Sequence, residues 1–318
     1  MFQYAAARRL AYRHRTHLKL DVVPLVQNAY RHYALNCFSI QQSLATDLDV
    51  FQVWPLEGLR RIFSKIVGRR LSGLFFKKII KDRSGYVVQR YYRYDSTSED
   101  VCSLMIGRIL SQRFFHFDPE VLDAPDGVYM AGSFISEKYF ADIKPIILKE
   151  FRFVGKVSDE DEEEKVTKMI RCSESVSIHI RRGDFTENPQ NRVAYNIIGN
   201  DYYNACVNYL AKRLKSPKFF VFSDDMDWVK TNFKIPYPTY YIENNYHSLD
   251  HRIGHKMDFQ DMRLMSECQH NIIANSSFSW WGAWLNQNPR RIVCAPKEFV
   301  RISNFDNKDI VPDEWIKF

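Results

Sequence analysis

Three short clusters in this chain combine residue types that could do chemistry. In His179-Ile-Arg181-Arg182-Gly183-Asp184, two guanidinium groups follow directly on the apolar run 176–180. Arginines at the end of a buried strand are costly to desolvate unless anions meet them, and their planar forks match phosphate oxygens in pairs. Gly183 permits a tight turn, and Asp184 is placed to orient one arginine. The same residues would also make a plain Arg–Asp ion pair at a strand end. In Phe222-Ser-Asp224-Asp225, paired acids follow a second apolar run. They suit a metal, a ribose or a sugar hydroxyl, and equally the N-cap of a following helix. In Asn275-Ser276-Ser277-Phe-Ser279-Trp280-Trp281-Gly282, hydroxyls gather where a strand turns into a helix. They offer O–H and N–H donors to an anion or simply cap the helix, while the tryptophans pack it back on a sheet.

These clusters need elements to hold them, and the second half of the chain supplies a regular pattern. Apolar runs at 176–180, 218–222, 239–242, 271–274 and 291–294 read as strands. Between them, helices are expected over 202–214, from 225, over 259–268 and over 277–285. The acidic run 158–164 reads as the first turn of another helix through residue 170, with Ser158 as N-cap and its acids facing the positive end of the dipole. Five strands alternating with helices predict an α/β fold with a parallel, doubly wound sheet. Ligands of such sheets bind at the carboxyl ends of the strands, which is where all three clusters fall. Before residue 155 the pattern is irregular. The expected division is therefore 1–155 and 156–318.

Composition narrows the class. The 318 residues suffice for two α/β domains, and 45% hydrophobic with 26% charged residues is globular. Aromatics at 15% fit a carbohydrate-handling surface or an aromatic core. No apolar run approaches the roughly 18 residues of a membrane-spanning helix, and the first residues lack the order of a secretory signal. The six cysteines form no CxxC pair. They read as reduced, buried thiols of a cytoplasmic protein rather than zinc ligands. Residues 60–83 contain nine Lys/Arg and one acid, so the net charge of that segment alone exceeds the +7 of the whole chain. Its apolar residues recur at near-helical spacing. It suits a basic helix lying peripherally on the inner membrane face, or an ordinary surface helix with its stripe on the core. Nucleic acid is disfavoured, because no recognition motif accompanies the charge. His251 and His255 have a metal-like spacing, but Gly254 and loop-like surroundings argue against a metal. There is neither a Walker lysine loop nor a GxGxxG.

Taken together, the three clusters resemble the three motifs of the α-1,2-fucosyltransferases of glycosyltransferase family 11. The first ten residues, the segment 131–140 and Pro312-Asp-Glu-Trp315 are similar to further parts of that family. The Arg-Arg motif is shared with α-1,6- and protein O-fucosyltransferases, and Ser-Phe-Ser-Trp-Trp is the more specific segment. The resemblance implies a GT-B fold of two Rossmann-like domains, the C-terminal one binding GDP-β-L-fucose and the N-terminal one facing a β-galactoside acceptor glycan. It implies inverting transfer to the 2-hydroxyl of a terminal galactose, with no metal or cofactor required. By analogy Arg181 and Arg182 bind the diphosphate and neutralise the leaving GDP. His179 and Asp261 face guanine, Ser276, Ser277 and Ser279 contact phosphate, and Asp224 or Asp225 lines the nucleotide pocket. Inversion calls for a base on the acceptor hydroxyl. Asp184 and Glu187 are the nearest carboxylates in sequence, and the diphosphate itself is the alternative proton acceptor.

Two departures stand against the resemblance. Family members begin with a strand and a Gly-Gly-Leu-Gly-Asn-Gln loop, whereas this sequence starts at the methionine that would follow it. A misplaced start or a truncation is expected, and with it impaired turnover. Tyr195-Asn-Ile-Ile-Gly-Asn200 also lacks the family's His-Gly, so acceptor contacts should differ.

Overall fold

The computed structural model describes residues 1–26, 33–55, 57–59, 61–62, 103–106, 108–112, 116–154, 161–187, 197–243, 258–301 and 306–318. The chain divides into two compact units. One comprises Met1–Asn36 and Ile40–Ile147, the other Cys37–Ser39 and Leu148–Phe318.

The first unit opens with helix α1 (Phe2–His14), whose stripe of Phe2, Ala5, Ala6 and Leu10 is buried. Arg15 ends it in the left-handed region (φ 56°), and its N–H returns to Tyr12. Helix α2 (Asp47–Val53) starts from a capping box in which Thr46 and Asp49 bond reciprocally. A three-stranded sheet joins β1 (Ser103–Ile106), antiparallel to β2 (Ile109–Gln112), with β3 (Tyr129–Ala131) parallel to β2. Among the described residues this unit has no alternating parallel sheet of its own. Arg61 departs from its expected place on a basic face. It is 6% exposed, and its fork donates to both oxygens of Asp21 at 2.9 and 2.7 Å and to Glu57 at 2.9 Å. Tyr129 Oη donates to the same Asp21. Arg60 and residues 63–83 lie outside the described residues, as do Cys102 and Ser158.

The second unit is built on one sheet of six parallel strands: β4 (Glu174–Ile180), β5 (Pro217–Ser223), β6 (Thr239–Tyr241), β7 (His270–Ile272), β8 (Val293–Ala295) and β9 (Ile316–Lys317). Their order across the sheet is β6-β5-β4-β7-β8-β9. In the unit's own count this is 3-2-1-4-5-6, the dinucleotide-fold order, with its reversal between β4 and β7. The connecting helices are α3 (Asp161–Arg171) before β4, α4 (Gly183–Glu187) and α5 (Asn200–Ala211) between β4 and β5, and α6 (Met226–Asn232) between β5 and β6. Helix α7 (Asp258–Glu267) lies between β6 and β7, and α8 (Ser277–Leu285) between β7 and β8. The expected strands and helices are all present, with ends displaced by up to three residues. The edge strand β9 was not expected, because two residues carry no period.

Alternation along β4 explains how the sheet is held. Val176, Ile178 and Ile180 share one face with Phe219 and Val221 of β5, packed on Tyr203, Cys206, Val207 and Leu210 of α5 and on Val229. Each such buried side chain contributes about 1.5–3 kcal/mol. The opposite face of β4 is polar and buried. Ser175 Oγ accepts from Gln269 N, and Ser177 Oγ accepts from Asn271 Nδ2 at 2.8 Å. Asn271 in turn accepts from Asn286, which also donates to the Cys268 carbonyl. The third member of this face is His179. Trp280, Trp281 and Trp284 of α8 are almost fully buried and pack together with ring centroids 5.0–6.2 Å apart, Trp280 parallel to Trp284 and Trp281 edge-on to both. Trp280 Nε1 donates to the Ile310 carbonyl.

The thiols are less uniform than composition suggests. Cys206, Cys268 and Cys294 are buried, but Cys172 is exposed where α3 has ended, and Cys37 is half-buried. Among the described residues no helix is long and apolar enough to cross a membrane.

Candidate functional site

The register of the sheet assembles the site. Strands β4 and β5 pair with Ile180 opposite Ser223. Continued past the strand ends, this brings Arg181 level with Asp224 and Arg182 level with Asp225. The ion pairs follow that register. Arg181 Nη1 lies 3.0 Å from Asp224 Oδ2, and Arg182 Nε lies 3.1 Å from Asp225 Oδ2. On the other side β4 pairs with β7, Ile178 opposite Ile272, which carries Arg181 and Arg182 toward the level of Asn275 and Ser276. The crevice at the reversal of strand order is where doubly wound sheets bind ligands. Two of the three clusters flank it, and the third adjoins.

Asp224 holds the turn after β4. Its Oδ1 accepts the backbone N–H of Arg182 at 2.8 Å while Oδ2 faces Arg181. Gly183 makes room for it, because a Cβ there would come within 2.5 Å of Asp224 Oδ2. Asp225 has two duties. Oδ1 caps α6 by accepting from Trp228 N at 3.3 Å, and Oδ2 takes Arg182 Nε. Asp225 therefore fills the N-cap expected of these acids, and both acids also pair with the arginines. Asp225 N is itself tied to Ser223 Oγ.

Arg182 is held on a second side. Its Cζ lies 3.5 Å from the centroid of the Trp228 ring. Its two terminal amino groups make no hydrogen bond to the described residues, and the side chain is 17% exposed. A guanidinium with Nε and one face engaged presents its Nη edge, the edge that takes two oxygens of an anion. Motif reasoning misses Trp228. The one cue for it in the sequence is an aromatic three residues after a capping acid.

His179 is 1% exposed, beside the Phe278 ring at 5.6 Å, and neither ring nitrogen has a hydrogen-bond partner among the described residues. Burial, and then the charge of Arg181, lower its pKa to about 3, so the ring is neutral. The two serines on the same face of β4 are satisfied by β7 and its approach. The member nearest the crevice is not, and a neutral imidazole there offers one donor and one acceptor.

The serines separate by position. Ser276 caps α8, its Oγ accepting from Phe278 N at 3.3 Å. Ser277 is exposed. Ser279 is fully buried and donates to the Ser276 carbonyl. Asp261 is buried on α7. The backbones of Asp184 and Glu187 belong to α4, while their side chains lie outside the described residues, as do His247, His251 and His255. Among the described residues no three His, Cys, Asp or Glu side chains gather as a metal-ligand set.

Comparison with known proteins bears on this arrangement. Residues 157–318 match the profile of Glycosyl transferase family 11, a stretch that contains every strand of the six-stranded sheet. An alpha-1,2-colitosyltransferase of Escherichia coli is 34% identical over 194 residues, 60% of this chain and 62% of the relative. The O-antigen biosynthesis glycosyltransferase WbnK of the same species is 36% identical over 153 residues, 48% of this chain and 47% of the relative. The chain thus spans about half to three-fifths of the length of these relatives. Among solved structures, the fucosyltransferase NodZ from Bradyrhizobium is 14% identical over 49% of this chain and 50% of its own, with a TM-score of 0.29. With the profile covering half of the sequence, including both arginines, the acids that follow β5 and the serine-tryptophan helix, the chain belongs to glycosyltransferase family 11.

Proposed function

We propose that this protein is an inverting α-1,2-fucosyltransferase that moves L-fucose from GDP-β-L-fucose to the 2-hydroxyl of a terminal galactose in a glycan. The observation that carries the donor half of this reading is the Arg182 fork at the carboxyl end of β4, fixed on one edge and one face, with its Nη edge making no hydrogen bond to the described residues. In the proposed complex the Nη edge of Arg182 holds the diphosphate. Arg181, 26% exposed beside it, shares the charge that develops as GDP leaves. Ser276 and Ser277, at the start of α8, supply hydroxyl and N–H donors to the phosphates. In this reading His179, neutral and with neither ring nitrogen bonded to the described residues, takes the base, with Asp261 as the second guanine contact. Asp224 and Asp225 act on the arginines rather than on the nucleotide. Asp184 or Glu187 takes the acceptor proton, or the diphosphate does, and no metal enters the reaction. The second unit is the donor half of a GT-B pair and the first unit the acceptor half. The fucose and galactose assignments rest on the motif resemblance.

The test begins with binding. GDP at one hundred times its Kd should stabilise the protein by about 2.7 kcal/mol, read as a rise in melting temperature that EDTA leaves unchanged and Arg182→Ala removes. An absent rise in the unsubstituted protein refutes the donor reading. Product-linkage analysis with GDP-fucose and a panel of β-galactosides then tests the transfer. GDP binding without transfer would make the chain a GDP-sugar-binding relative instead. A second donor, a colitosyl nucleotide, is favoured by the similarity to the colitosyltransferase. Faster transfer from that donor than from GDP-fucose would establish it.

A further inference from the structure

We infer that Trp228 is the positioning residue for Arg182, and that it and Asp225 together set the direction in which the arginine meets its anion. This rests on the reading of Arg182 as a diphosphate ligand and adds a residue to it. Arginine has a long side chain with about 2 kcal/mol of rotamer entropy, so a lone Arg182 at a strand end would meet a ligand only after paying to be ordered. Here two contacts order it beforehand. Asp225 Oδ2 takes Nε at 3.1 Å, and the indole of Trp228 lies under the guanidinium plane at 3.5 Å. The two contacts act in different directions, one in the plane of the fork and one perpendicular to it. Together they leave one edge, Nη1 and Nη2, without a hydrogen bond to the described residues.

The platform is itself fixed. Trp228 N donates to the other oxygen of Asp225, so the residue that stacks on Arg182 also belongs to the cap that Asp225 makes. Asp225 N is anchored to Ser223 Oγ at the last residue of β5, and the indole packs partly against the core below α6. Strand end, cap, indole and guanidinium thus form one closed unit. Tryptophan is the side chain whose face attracts a cation most strongly. An aliphatic residue of similar bulk would keep the packing and lose that attraction.

The experiment separates positioning from packing. Trp228→Phe keeps an aromatic face, and Trp228→Leu keeps apolar bulk without one. In the unliganded protein, the Arg182 Nε–H resonance, assigned by its loss in Arg182→Lys, should be ring-current shifted. The shift should survive in Trp228→Phe and vanish in Trp228→Leu. Calorimetric titration with GDP should show Trp228→Leu weakened about tenfold and Trp228→Phe within about threefold. The Leu variant binding GDP as the unsubstituted protein does, or retaining the shifted resonance, overturns the inference and leaves the donor reading intact. Equal weakening in the Phe and Leu variants also overturns it. If the unsubstituted protein gives the shifted resonance but binds no GDP, the donor reading fails, and with it any role of Trp228 toward that ligand.

Discussion

Gly183→Ala should be destabilising for one reason, and that reason can be removed. Gly183 has a φ open to any residue, so alanine meets no backbone strain there. The new Cβ would lie 2.5 Å from Asp224 Oδ2 and 3.0 Å from its Cγ, where ordinary contact begins at 3.4 Å. The carboxylate must therefore move by about 0.9 Å. That movement breaks the bond to the Arg182 N–H, 2.8 Å long, and loosens the Arg181 pair. The Arg181 pair, 26% and 9% exposed, lengthens rather than breaks, so the larger loss is the backbone bond. The backbone bond to a charged acceptor is worth about 1.5–3 kcal/mol. Alanine at the start of a helix returns about 0.5–1 kcal/mol of propensity, leaving a net loss of about 1–2 kcal/mol. In an Asp224→Ala background the clashing atoms are gone and the nearest remaining atom, the Cβ of residue 224, is 3.6 Å away. The same Gly183→Ala change should then be neutral or slightly stabilising. Urea unfolding of the four proteins of this cycle, with unchanged m-values, gives the coupling directly. An equal cost in both backgrounds, or no cost in the first, refutes the reasoning.

Two further outcomes follow from buried charge and buried imidazole. Arg61→Met should lower stability by about 3–5 kcal/mol in urea melts, because it strands Asp21 and Glu57 without their cation. Arg61→Lys should recover only part of this, since the three donors of an ammonium radiate from one nitrogen and do not reproduce the planar fork that meets Asp21 in parallel and Glu57 from Nε. His179 has a folded pKa of about 3 against an ordinary value of 6.5. As pH falls below 6.5 the unfolded chain takes up the proton first, so stability is lost on acidification, with a limiting slope of about 1.4 kcal/mol per pH unit. His270, also lowered by burial, contributes in the same direction. Melts between pH 7.5 and 5 should show a shallower slope in His179→Phe, and an unchanged slope would contradict a neutral, buried ring.

The second unit was legible because two periods repeat along it. Apolar strands such as Val176-Ser-Ile-His-Ile180 are bounded by turn residues, and helices such as α5 bury every third or fourth side chain. Residue pattern alone therefore places the strand-end clusters on one edge of a sheet. Strand order and register are a different matter, since neither leaves a mark in local sequence. That is why the pairing of Arg181 with Asp224 and Arg182 with Asp225 emerged only from the sheet. Ser279 shows the same limit at helix scale. Grouped with Ser276 and Ser277 by type, it lies three residues beyond the cap and turns inward. Arg61 reads as basic from its neighbours, yet its environment is set by Asp21, 40 residues earlier. The first unit offers no sustained period, and its three-stranded mixed sheet was not anticipated.

The double duty of Asp225 constrains how this site can drift. Serine or threonine in its place would cap α6 as well but would leave Arg182 without its in-plane partner. Asparagine would keep the cap oxygen but turn an N–H₂ toward Nε. Changes at residues 182 and 225 are thus expected to be tolerated in pairs and to fail singly. A lineage changing its anion would have to replace the arginine and rematch residue 225 to the new side chain while keeping the helix capped, which makes this corner of the fold slow to evolve.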